Sequence, residues 1–236
     1  MKILVTGGAG FIGAALCRSL AVEGHEVVAA DNLNDYYPTV LKTARLEYNG
    51  IRTDDGASGM TASSLFPNLS FVKVSIEDRD PMDRLFSAGK FDKVVNLAAQ
   101  AGVRYSTEAP FEYIRSNVTG FLTVLECCRK YGVGHLVFAS SSSVYGRATK
   151  VPFSEDDRTD CPVSLYAATK KADEVMAYAY NSLYGIRMTG IRFFTVYGPW
   201  GRPDMAPFIF ADAITGGKTL RIFNGGRHVR DFTYID

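Results

Sequence analysis

Several things are scarce in this chain. Its four cysteines (Cys17, Cys127, Cys128 and Cys161) show no C-x-x-C spacing and no dense framework. That excludes a disulfide scaffold and points to reduced thiols in a cytoplasmic protein, where packing is their expected role. Neither charge is in excess: 26 Lys and Arg stand against 25 Asp and Glu, a formal net charge of +1. Without a basic block there is no electrostatic reason to expect nucleic acid or an anionic membrane as a partner. No apolar run reaches the roughly 18 residues of a membrane span. The N-terminus runs from Met1 to Val5 straight into a glycine cluster, without the apolar stretch and cleavage site of a secretory leader. There is no internal repeat and no low-complexity tract, and no metal site is expected.

What is present is an alternation. Short β-rich runs at 2–5, 26–30, 71–74, 93–98, 135–139 and 187–194 are interleaved with amphipathic stretches at 11–22, 40–48, 81–86, 117–131 and 165–184. Apolar strands alternating with helices predict a doubly wound parallel (Rossmann) sheet, covered on both faces. Residues 51–68, rich in Gly, Ser, Thr and Asp, read as a surface excursion. Residues 196–207 read as a Gly/Pro-rich loop too long for a simple connection, and loops of that kind are more often functional than idle. Residues 219–223 read as a strand, 224–226 as a turn and 229–235 as a further extended piece. The expected organisation is a Rossmann domain over 1–195, followed at 196–236 by the start of a smaller, incomplete substrate-binding part.

The first strand leads into Thr6-Gly7-Gly8-Ala9-Gly10-Phe11-Ile12-Gly13. The spacing fits both G-x-G-x-x-G and G-x-x-G-x-x-G. A tight turn, close approach of backbone to a pyrophosphate and close packing of helix on strand each demand removal of a side chain. The helix N-terminus then offers unpaired N–H groups to the anion. Asp31 follows Gly13 by 18 residues, at the end of the second strand. An acid there bonds the adenine ribose hydroxyls and repels a 2′-phosphate, which predicts NAD rather than NADP.

Tyr166 and Lys170 stand at i and i+4 and share one helix face. A phenol ordinarily titrates near pH ~10. A neighbouring ammonium favours phenolate, which can then remove a hydroxyl proton. Taken alone, Y-x-x-x-K is usually just a helix face; downstream of a dinucleotide turn it reads as a catalytic pair. The run Ser140-Ser141-Ser142-Ser143-Val144-Tyr145-Gly146 lies at the C-terminal end of a strand, where open α/β sheets bind ligands. Serine runs are also common in solvated loops, so this one gains its meaning from the other two motifs.

Together these residues resemble the extended short-chain dehydrogenase/reductase superfamily, whose members act on nucleotide sugars. Within it they are most similar to the UDP-glucuronate 4-epimerases. The similarity rests on five blocks: 31–37 (DNLNDYY), 97–106 (LAAQAGVRYS), 140–146 (SSSSVYG), 164–172 (SLYAATKKA) and 192–205 (RFFTVYGPWGRPDM). It implies an enzyme with Tyr166 as base, Lys170 as its electrostatic partner and Ser141 as the hydroxyl on the sugar O4. It implies that Gly7, Gly10, Phe11, Ile12, Gly13, Asp31 and Asn32 hold NAD, with Ile76, Leu97, Ala98 and Ala99 on the adenosine side and Lys170 on a ribose. Ser75 departs from the pattern, because the family usually has Asp there for the adenine amino group.

The resemblance also implies the substrate side. Related decarboxylases and 4,6-dehydratases carry acidic residues where this chain has Ser142 and Ser143, and UDP-galactose 4-epimerases have Asn where it has Thr195. Neutral hydroxyls at these places suit a uronate carboxylate. Arg202 is expected on that carboxylate or the diphosphate, or else in a loop-bracing salt bridge; Arg104 has the same ambiguity. Arg230 matches a phosphate-binding arginine. The implied partners are a UDP-sugar and a second copy in a homodimer built on helices 117–131 and 165–184, unless those helices simply cover the sheet. The alternatives are epimerisation of UDP-glucose or a UDP-N-acetylhexosamine and, more distantly, a catalytically idle dinucleotide-binding module.

Overall fold

The computed structural model describes residues 1–53, 59–148, 150–227 and 229–236. In chain order its elements are β1 (Lys2–Thr6), α1 (Phe11–Val22), β2 (Glu26–Asp31), α2 (Thr39–Tyr48), β3 (Met60–Ala62), β4 (Leu69–Lys73), α3 (Arg79–Gly89), β5 (Lys93–Asn96), α4 (Tyr105–Glu108) and α5 (Pro110–Tyr113). A π-helical stretch (Ile114–Thr119) then runs into α6 (Gly120–Tyr131), followed by β6 (His135–Ser141), a 3₁₀ turn (Ser142–Tyr145), α7 (Leu165–Tyr184), β7 (Met188–Phe193), β8 (Thr195–Tyr197), α8 (Ala206–Thr215), a second 3₁₀ turn (Phe223–Gly226) and β9 (Phe232–Tyr234).

Side chains alternate along a strand, so apolar residues at successive positions must be buried on opposite faces. Ile3, Val5, Val27 and Ala29 pack with Cys17 and Leu46 under α1 and α2. Leu4, Val28, Val94 and Leu136 pack with Phe86, Phe121 and Val124 under α3 and α6. The main sheet has the order β3-β4-β2-β1-β5-β6-β7, and every neighbouring pair is parallel except β3 with β4. The winding reverses between β1 and β5, which opens a crevice at their C-terminal ends. The doubly wound parallel sheet expected from the sequence is therefore present.

Several local readings change. The 51–68 excursion contains β3, an antiparallel edge strand on β4; residues 54–58 lie outside the described residues. The predicted helix 117–131 is α-helical only from Gly120, because the turn before it widens into the π stretch around Asn117. The strand predicted at 219–223 is absent. A strand needs a neighbour for its backbone groups, and β8 instead pairs in parallel with β9 as a separate two-stranded sheet. The end of the loop at 196–207 passes into helix α8, with Pro207 in its first turn. Among the described residues, no helix is long and apolar enough to cross a membrane.

Candidate active site

The glycine turn lies in the β1/β5 crevice. Gly7 has φ +71, and a Cβ there would stand 2.8 Å from the Ala98 nitrogen on the far side of the crevice. A Cβ on Gly13 would collide with the Gly7 carbonyl. The turn is thus closed against its neighbours at Gly7 and Gly13. Gly10 caps α1 without a side chain, so the first N–H groups of that helix are left for an anion. These features fit a dinucleotide.

At the end of β2 the Asp31 carboxylate is buried and well supplied with donors. Its Oδ2 accepts from Ala9 N (3.3 Å), and its Oδ1 from Leu33 N (2.8 Å) and Lys42 Nζ (3.3 Å). Lys42 also donates to Asn34 Oδ1 at 2.8 Å. Asn32 donates to Ser75 Oγ at 3.1 Å, so the serine at the departure from the family pattern is engaged by the neighbouring loop.

The other end of the crevice is built by β6 and α7. Ser164 caps α7, its hydroxyl accepting from Ala167 N at 3.1 Å, which fixes the turn that carries Tyr166. Caps of this kind typically contribute about 1 kcal/mol. One turn later the buried Lys170 donates to the Ala139 carbonyl (3.0 Å) and to Asp173 Oδ2 (3.1 Å). Asp173 is itself buried, and its Oδ1 has no partner among the described residues. Burial outweighs the help of Lys170 and pushes the Asp173 carboxyl up to about 6. Ser141 accepts from Ser143 N at 3.1 Å. Ser140 donates to Glu174, which pairs with Arg192 of β7 (2.9 and 3.0 Å), clamping the serine run to α7.

The glycine turn, Asp31, Ser141, Tyr166 and Lys170 share one cleft of about 530 Å³. It is lined by Gly7, Gly10, Phe11, Ile12, Gly13, Asp31, Asn32, Ile76, Leu97, Ala98 and Ala99 at one end. Ser141, Ser142, Ser143, Tyr166, Lys170, Thr195, Arg202 and Arg230 line the other. Arg104 is not in this lining; it is exposed, just before α4. Arg202 reaches the cleft, but its Nε and Nη2 grip Asp204 (3.0 and 2.6 Å), the loop-bracing salt bridge expected as its alternative role. Thr195 is fixed by donating its backbone N–H to Asp231 O at 3.2 Å.

Sequence reasoning missed Lys42, Asn117 and Asp173. Asn117 is buried in the π stretch, where Nδ2 donates to Gln100 O (3.1 Å) and Thr169 Oγ1 (3.0 Å) while Oδ1 accepts from Gln100 N (2.7 Å). It joins the strand-end loop to α7 beside Lys170. A helix with one wide turn was its only signal, and that is not visible in side-chain periodicity.

Comparison with known proteins agrees with this geometry. The chain is 50% identical over 236 residues to the protein CapI of Staphylococcus aureus, covering 100% of this chain and 66% of that protein. It is 49% identical over 243 residues to UDP-glucuronate 4-epimerase 2 of Arabidopsis thaliana, covering 100% and 52%. It superposes on the crystal structure of the Bacillus cereus UDP-glucuronic acid 4-epimerase, solved with UDP-glucuronic acid and NAD, with a TM-score of 0.85 at 34% identity, covering 100% and 69%. The chain thus spans between about half and about two thirds of the length of these relatives. Residues 3–236 match the profile of the NAD dependent epimerase/dehydratase family, and the chain belongs to that family.

Proposed function

We propose that this protein inverts C4 of a UDP-sugar, and that the sugar is UDP-glucuronate, converted reversibly to UDP-galacturonate. One observation carries the reading: Tyr166, Lys170 and Ser141 share a cleft with the glycine turn, and the rim beside them (Ser142, Ser143, Thr195) is neutral and hydroxylic. The similarity to enzymes named for this substrate supports it.

NAD, when bound, supplies reversible hydride acceptance at C4, so the ring passes through a 4-keto sugar. Gly7, Gly10, Gly13, Asp31 and Asn32 hold the dinucleotide, with Ile76 and Leu97–Ala99 as the wall at its adenosine end. Tyr166 removes the proton from the sugar O4 and returns it after the ring has turned over. Ser141 hydrogen-bonds the same oxygen, and the Lys170 ammonium supports the phenolate. Oxidising C4 of a uronic acid gives a β-keto acid, which loses CO₂ when the carboxylate bond aligns with the carbonyl π system. Ser142, Ser143 and Thr195 hold the carboxylate out of that alignment without offering an acid for elimination. Arg230 and Arg202 serve the diphosphate. In this reading residues 1–195 carry the cofactor and 196–236 begin the sugar side, and the protein works in the cytoplasm as a homodimer through α6 and α7.

The test is competition: the holoenzyme is offered UDP-glucuronate, UDP-glucose and UDP-N-acetylglucosamine together, with products resolved by NMR. UDP-galacturonate should dominate. Conversion of the neutral sugars alone would overturn the uronate assignment.

A further inference from the structure

Arg45 of α2 is one of the most buried side chains in the molecule, only 1% exposed, and its partners are carbonyls and a phenol. Nε and Nη2 donate to the Trp200 carbonyl at 3.0 and 2.8 Å, and Nη2 reaches Gly201 O at 3.5 Å. Nη1 donates to Tyr37 Oη at 2.6 Å and to Ala9 O, inside the glycine turn, at 3.3 Å. A buried guanidinium is costly unless its fork is filled. Here the planar fork is filled from two directions, and the two directions belong to segments about 190 residues apart in sequence.

The segment it grips is held in an unfavourable form. Trp200 has φ +67, a left-handed conformation that a bulky residue adopts only when its surroundings impose it. Its ring rests on Tyr48, at 5.6 Å between centroids, one helical turn beyond Arg45. The same loop carries Arg202 into the cleft and is tied down again by Tyr36, whose hydroxyl donates to Asp204 at 3.1 Å.

We propose that Arg45 is a positioning residue: it fastens the 198–205 loop to the glycine turn, so that the dinucleotide held at the turn and the nucleotide-sugar met by Arg202 strengthen each other's binding. The second ligand rests on the function proposed above; the fastening does not. A linkage of this kind is reciprocal. Cofactor at the turn fixes Ala9, Ala9 fixes Arg45, and Arg45 fixes the loop.

Trp200 is the only tryptophan in the chain and reports on the loop directly. In the parent, NAD⁺ should change Trp200 emission and reduce its quenching by acrylamide. Arg45→Met should shift the emission to the red and raise quenching before any ligand is added. Arg45→Lys keeps the charge but not the fork, and should fall between the two. UDP binding, measured by calorimetry with and without NAD⁺, should be tighter with NAD⁺ in the parent, within the roughly 5- to 150-fold range usual for coupled sites. That ratio should collapse toward one in Arg45→Met, and adding Arg202→Ala to that variant should cost little more. Unchanged Trp200 emission in a folded Arg45→Met protein, or an unchanged coupling ratio, would overturn the proposal. If Arg45→Met does not fold, Arg45→Lys and the parent's response to NAD⁺ decide: a lysine variant identical to the parent, or a parent silent to bound NAD⁺, overturns it. A wrong substrate assignment would leave the Trp200 results standing, so the two failures are distinguishable.

Discussion

A buried lysine–aspartate pair stands near each end of the cleft, and the two are built differently: Asp31 and Lys42 both line it, whereas of Lys170 and Asp173 only the lysine does. At the cofactor end Asp31 meets Lys42 at 3.3 Å, but it also accepts two main-chain N–H groups. At the β6/α7 end Asp173 meets Lys170 at 3.1 Å; among the described residues its other oxygen has no hydrogen-bond partner, and the carboxyl is pushed up to about 6. A carboxylate tied into backbone donors is held in one orientation, as the ribose ligand proposed above needs to be. One that is buried and met by a single ammonium is raised toward its neutral form. The first lines the cleft and is placed to bind; the second is shut off from the cleft at its aspartate and holds the Lys170 ammonium.

The largest effect that separates the two ends should come from Tyr166→Phe. It should lower turnover of the holoenzyme by roughly 10²- to 10⁴-fold, the usual worth of a general base, while calorimetry finds NAD⁺ affinity near the parent value. The mirror experiment is Asp31→Asn. Losing charge-assisted bonds to the ribose costs about 1.5–3 kcal/mol each, so NAD⁺ affinity should fall by roughly 10- to 100-fold. Its advantage over NADP⁺ should shrink, as read by titrating both. Equal loss for both cofactors would mean that Asp31 only supports the fold.

How much of this could be read from residues alone follows the range of each interaction. The glycine turn, Asp31 and the Tyr166/Lys170 pair were legible because each is a local spacing on one strand or helix, and the apolar runs announced a sheet buried on both faces. Asp173 was not, because a charge on an amphipathic helix normally reads as solvated; only the packing of α7 on β6 and the π stretch buries it. Arg45 meets Trp200 across 155 residues, and no spacing rule reaches that far. The segment at 219–223 has strand composition, yet β8 chose Phe232–Tyr234. Propensity states what a segment can be, and the ladder on offer decides.

A smaller effect lies on the neutral rim between the pairs. In the proposed function Thr195 anchors the uronate carboxylate, so Thr195→Val should lower epimerisation of UDP-glucuronate by about 10-fold, the low end of the value of a hydrogen bond to a charged group. A UDP-pentose by-product should rise, visible by mass analysis. An unchanged rate without CO₂ loss would separate Thr195 from the carboxylate.

The smallest effect concerns pH. The Asp173 carboxyl titrates higher in the native state than in the unfolded chain, so between about pH 4 and 6 the native state binds more protons at this site. This group's contribution to stability therefore falls as pH rises through that window and is flat beyond it. Asp173→Asn removes that component. Urea unfolding from pH 4 to 7 should show a less negative slope of stability against pH in the variant; parallel curves would mean that Asp173 stays charged throughout.

The most direct measurement of the whole account is the fate of the hydrogen at C4. UDP-glucuronate carrying deuterium at C4 is incubated with the holoenzyme in ordinary water, and the UDP-galacturonate formed is examined by NMR. Oxidation and reduction at C4 by the same bound NAD predict full retention of deuterium at C4, now on the opposite face. Loss of the label to solvent, or inversion at another carbon, would contradict the mechanism.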